Sequence, residues 1–223
     1  TNLYNVFKVC SFSIGFKSNY CYLGKGIIKL FLYMQIADYL QISSKNEILK
    51  AVQCALNSAA EFEHLLQLAM GSEGKTSWRA SWAINHFPPD SRNLFDNYIP
   101  LIIQVLPTIS HVGQKGLLLR FLSRQKLDFT IEGTGVLIDE CFKQMVNPLL
   151  PAFVKYYSLD IMVSAYQQLP ELKTEFIASL EMLIPYANTK SLAHKGKQIR
   201  RHLESNRPFA AGYLKMKDKY QPD

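Results

Sequence analysis

From residue 44 onward, apolar side chains recur three and four positions apart in short runs, and proline or glycine interrupts the runs. That spacing is the period of a helix, whereas a half-buried strand would alternate. Ser44-Lys45-Asn46-Glu47 and Ser58-Ala59-Ala60-Glu61 both fit the S-x-x-E capping box, in which the serine oxygen accepts from a first-turn N–H and the glutamate reaches back to the cap. Two boxes 14 residues apart predict two short antiparallel helices. Ile48, Leu49, Val52 and Leu56 stripe the first; Phe62, Leu65, Leu66 and Ala69 stripe the second, which stops at Gly71.

The pattern then repeats. Trp78 and Trp82 lie four apart before Pro88-Pro89, and Tyr98, Leu101, Ile102 and Val105 run up to Pro107. Leu118, Leu119 and Leu122 follow, then Leu137, Ile138, Cys141, Phe142 and Met145 before Pro148. Ala152, Tyr156, Leu159, Val163 and Tyr166 form another face, Leu172, Phe176, Leu180 and Leu183 the next, and Ile199 and Leu203 the last. Helices opening successive pairs start near 76, 111, 151 and 190, a spacing of about 35–40 residues that belongs to two-helix solenoid repeats. One register recurs literally, Lys115-Gly116-x-x-Leu119-Arg120 returning as Lys195-Gly196-x-x-Ile199-Arg200. The expected fold is all-α: a right-handed α-solenoid of about four helical pairs with a final capping helix, over residues 34–205.

The ends differ from the body. Residues 1–33 mix eight aromatics with Lys, Asn, Ser and Ile, show no steady period and contain no acid. Met34 opens the periodic stretch, so it is read as the native start, with 1–33 an irregular segment upstream. Residues 206–223 are read as a basic, mobile tail. The formal net charge of +7 comes from both ends, since residues 34–189 carry 12 bases against 15 acids. Cys10, Cys21, Cys54 and Cys141 are dispersed, which fits a reduced, cytoplasmic protein. No apolar run reaches the ~20 residues of a membrane-spanning helix.

In the segment Ser77-Trp78-Arg79-Ala80-Ser81-Trp82-Ala83-Ile84-Asn85-His86, the inter-helix prolines, Gly116–Arg120 and Lys197–Leu203, the chain resembles HEAT-like repeats of the armadillo-type superfamily, in particular small bacterial HEAT-repeat proteins. The resemblance covers roughly residues 44–205. It implies a binding scaffold and leaves the ligand unnamed.

Site residues follow from types and spacing. Trp78 and Trp82 are expected as a structural core plug between repeats, because such a face must be buried. Arg79, Arg120 and Arg200 open three of the pairs and could stack into a row of guanidinium groups that takes phosphate or carboxylate. His86 and Arg201 complete the candidate binding set. Some HEAT-like proteins are DNA glycosylases with tryptophans beside an acid, but here no Asp or Glu lies between Glu73 and Asp90. The acid pairs Glu61/Glu63 and Asp139/Glu140 read as solvated surface. No catalytic residue, metal site or cofactor is expected. The function read from this is a non-catalytic scaffold for a protein or peptide partner; the alternative is a nucleic-acid-acting protein, either glycosylase-like or a binder using the basic C-terminal end.

Overall fold

The computed structural model describes residues 21–23, 26–28, 36–72, 74–205 and 209. The chain divides into two units, Thr1–Met34 and Gln35–Asp223. In the first, strands β1 (Cys21–Leu23) and β2 (Gly26–Ile28) pair antiparallel, with Tyr22 opposite Ile27. Strand pairing was not expected here. It is confined to three residues on each side, too short for an alternating pattern to stand out from the aromatic run.

The described residues of the second unit form helices and the turns between them. Its helices are α1 (Ile36–Tyr39), α2 (Lys45–Asn57), α3 (Ala59–Met70), α4 (Lys75–Ile84), α5 (Ile99–Val105), α6 (Val112–Leu122), α7 (Gly135–Val146), α8 (Ala152–Gln168), α9 (Lys173–Leu183) and α10 (Lys190–Glu204). The expectations about residues 1–20 and about the tail beyond 209 lie outside the described residues.

Local chemistry sets the starts. Ser44 Oγ accepts from Glu47 N and Ser58 Oγ from Glu61 N, as the boxes require. The reciprocal half is used otherwise: Glu47 pairs with Lys50 at 2.7 Å, and Glu61 Oε2 accepts from Ile36 N, tying α1 to α3. Thr189 caps α10 by accepting from Leu192 N, and His111 caps α6 through Nδ1, which accepts from Gln114 N.

Packing then builds two layers. Helices α4, α6, α8 and α10 stack side by side, and α5, α7 and α9 stack in a second layer; α3, α7 and α9 pack across onto α4, α8 and α10. The first row starts at residues 75, 112, 152 and 190, intervals of 37, 40 and 38 residues. From α6 onward the helices bury most of the predicted stripe, Leu118, Leu119 and Leu122; Leu137, Cys141 and Met145; Leu159 and Val163; Phe176, Leu180 and Leu183; Ile199 and Leu203, whereas Leu49 on α2 and Leu101 on α5 are exposed. This is the two-layer arrangement of an α-solenoid. Cys54 and Cys141 are free thiols, and burial pushes the Cys141 thiol far above its usual range. Among the described residues no helix is long and apolar enough to cross a membrane.

Candidate functional site

Helix α4 turns small residues inward. Ser77, Ala80, Ser81 and Ala83 are buried, and Ser81 Oγ donates to Ala69 O and lies within bonding distance of Ser77 O, so α4 lies close against α3. The bulky residues are therefore displaced to the other side. Trp78 and Trp82 stack with ring centres 5.9 Å apart and planes 27° from parallel, and Trp82 meets His86 at 5.9 Å. All three rings are half-buried.

Two half-buried rings stand where a core plug between repeats was expected. Trp82 leans partly on the core, whereas Trp78 lies over Gly113 of α6, where an added Cβ would come within 3.2 Å of the indole. The buried face of α4 consists of Ser77, Ala80, Ser81, Ala83 and Ile84, and the indoles lie beside it.

Helix α6 supplies the rest of the site. Asn85 Nδ2 donates to Ser81 O and to Leu117 O, both at 2.9 Å, bridging α4 to α6, while its Oδ1 is buried with no hydrogen-bond partner. Arg120 is half-buried, and its Nε is likewise buried and unpartnered. Burial lowers the pKa of His86, and the positive charges of Arg120, Lys45 and Arg124 lower it further. These three charges on the imidazole are all cations. The surface thus combines the stacked Trp78 and Trp82 rings and the tilted His86 ring with a positive field at the imidazole.

The three arginines expected to stack into a row have different partners. Arg79 donates twice from one terminal nitrogen, to Leu40 O and Gln41 O, closing the end of α1. Arg200 is held by Glu204 at 2.7 Å and Glu181 at 3.1 Å. Among the described residues Arg120 makes no ion pair and its charge acts on His86, and Arg201 stands exposed on α10.

Two buried ion pairs went unread in the sequence. Lys115 Nζ lies 2.5 Å from Glu140 Oε1, which also accepts from Gln144 Nε2, and Lys195 Nζ lies 2.6 Å from Asp160 Oδ1 and over the Tyr156 ring. Glu140, expected as solvated surface, is 4% exposed. Its spacing from Leu137 and Gln144 on one helical face was the available signal. A cleft of about 330 Å³ opens between the loop before α6 and the end of α7, lined by Thr108, Ser110, Lys115, Gln144, Asn147 and Leu150 among others. Among the described residues no three His, Cys, Asp or Glu side chains gather as metal ligands.

A family model described as a HEAT repeat domain matches residues 36–203. No curated protein and no solved structure matches the chain.

Proposed function

The chain belongs to the HEAT repeat family, and from that premise we propose that it is a non-catalytic binding scaffold which holds an acidic, apolar peptide segment of a protein partner against α4 and α6. One observation carries the reading: the Trp78–Trp82–His86 ladder, left half-exposed beside Arg120, with which no acid among the described residues pairs. Tryptophan and arginine in a partly desolvated setting are the residue types that dominate protein interfaces. A carboxylate on the partner would meet Arg120, and an adjacent apolar side chain would cover the rings. A reduced, cytoplasmic setting is part of the proposal, supported by the free thiols.

The chain has two tryptophans and both stand in this patch, so intrinsic fluorescence reads the site directly. Titration with peptides that place Asp or Glu beside Leu or Phe should give a saturable blue shift, and Arg120→Gln should weaken it about tenfold, the 1.4 kcal/mol of one charged contact, with an unchanged melting temperature. Flat emission across such peptides, or equal affinity in Arg120→Gln, would overturn the assignment.

A further inference from the structure

The last helix of the row carries a second feature that the scaffold reading does not use. On α10, Leu192, Gly196, Ile199 and Leu203 face inward and are buried. Lys190, His194, Lys197 and Arg201 follow the same four-three-four spacing on the opposite side and are all exposed. Lys195, the one lysine inside α10 that breaks this register, is turned inward to Asp160 and Tyr156. The stripe is therefore what remains after packing has selected the other positions.

The acids nearby do not neutralise it. Glu181 and Glu204 both converge on Arg200, which lies between the two faces, and among the described residues none of the four stripe residues makes an ion pair. A terminal repeat needs a polar outer face, and mixed charge would satisfy that need. Here the stripe carries three permanent cations and a histidine, and the acid that continues its spacing, Glu204, is held by Arg200 at 2.7 Å. The other exposed positions of α10 are Ser191, Gln198 and Glu204, so the helix has no apolar side chain to insert into a bilayer, which interfacial helices require.

We propose that α10 lies along the phosphate backbone of a nucleic-acid duplex, with Lys190, Lys197 and Arg201 each reaching a phosphate and His194 adding a donor between them. At 1.5 Å per residue the stripe is about 16 Å long, close to five base-pair steps of one strand, which brings three or four phosphates within reach. With no side chain directed at a base edge, recognition is of the backbone and independent of sequence. This binding is separate from the peptide patch on α4 and α6 and stands whether or not that reading holds.

The test is fluorescence anisotropy of the full chain with a labelled random-sequence DNA duplex of about 20 base pairs, at sodium chloride from about 50 to 200 mM. Micromolar binding at the lowest salt is expected, with a log–log salt slope near −3, about 0.9 for each phosphate contact. Lys197→Glu/Arg201→Glu should weaken binding at least tenfold and remove about two contacts from the slope. Lys50→Glu/Lys126→Glu, which makes the same change in net charge on α2 and in the loop after α6, should stay within about twofold, since binding that follows net charge alone is non-local. Thermal melting of each variant checks the fold. The proposal is overturned by undetectable binding at the lowest salt, or by equal loss in both charge-reversal pairs. It is also overturned if the loss comes instead from Lys215→Ala/Lys217→Ala/Lys219→Ala in the tail, or if phosphatidylserine vesicles or polyglutamate bind as tightly as the duplex.

Discussion

Helices α6 and α10 carry the same six-residue register, Lys-Gly-x-x-aliphatic-Arg, and use its members differently. The lysine has one role in both: Lys115 reaches Glu140 on α7, and Lys195 reaches Asp160 on α8, each largely out of water. The aliphatic residue is also common, Leu119 and Ile199 both being fully buried. The glycines and arginines diverge. Gly116 is covered by the edge of the Phe153 ring, where an added Cβ would overlap it, whereas at Gly196 an added Cβ would meet Ile184 at 3.0 Å and Leu183 at 3.3 Å, tight but without overlap. Arg120 keeps an open charge beside the rings, and Arg200 is closed by two carboxylates. The lesson is that a repeat preserves what faces the neighbouring helix. What faces solvent is set by whichever residues the adjacent repeat brings.

The largest effects should come from breaking the buried pairs. Glu140→Ala leaves both Lys115 and Gln144 without their acceptor, and removing one member of a buried pair costs about 3–5 kcal/mol. Asp160→Ala should cost less, roughly 2–3 kcal/mol, because Lys195 keeps the Tyr156 ring at 4.2 Å and its carbonyl nearby. Urea unfolding of the two variants measures the difference. Equal losses would mean that the ring and carbonyl contribute nothing once the acid is gone.

The glycines give the next contrast. A methyl group at Gly116 must displace the Phe153 ring, an overpacking cost of about 1–3 kcal/mol. At Gly196 the same methyl meets Ile184 Cγ1 at 3.0 Å, a contact that the roughly 1 kcal/mol gain in helix propensity offsets. Gly116→Ala should therefore lower the melting temperature while Gly196→Ala leaves it nearly unchanged. The reverse order would show that the half-exposed Phe153 ring swings aside freely.

The smallest effect is a pH slope, and it tests the open charge on Arg120. The folded pKa of His86 lies below its unfolded value because of burial and then the charges of Arg120, Lys45 and Arg124. As pH falls below about 6.5, the unfolded chain takes up a proton before the folded one, so stability declines until the folded pKa is passed and then levels off. His86→Asn should remove this slope and Arg120→Gln should reduce it, as read by melting temperature against pH. An unchanged slope in Arg120→Gln would mean that burial alone accounts for the depression.

The sequence was most legible where information is local. The serine caps, the interrupting prolines and the three-four spacing fixed the helices, and Val112 and Ala152 open theirs within one residue of the expected starts. It was least legible at polar residues. Glu140 and Asp160 resemble any surface acid along the chain, and Trp78 and Trp82 resemble any buried stripe, because a hydrophobic period states which residues share a face and not which face turns inward. On α4 the choice went to Ser77, Ala80 and Ser81, since small residues let α4 approach α3 closely enough for Ser81 to bond Ala69 O.

What the sequence by itself determined is the set of helices, their repeat interval and their membership in one solenoid family, all of which depend on neighbours within a few positions. What only the tertiary structure decided is which charges are spent and which remain: Lys115 and Lys195 inside, Arg79 on carbonyls, Arg200 on two acids, with Arg120 and the α10 stripe making no ion pair among the described residues. The physical reason is reach. Lys115 meets an acid 25 residues away, Lys195 one 35 away and Arg79 carbonyls up to 39 away, and partners that distant are brought together by helix packing alone.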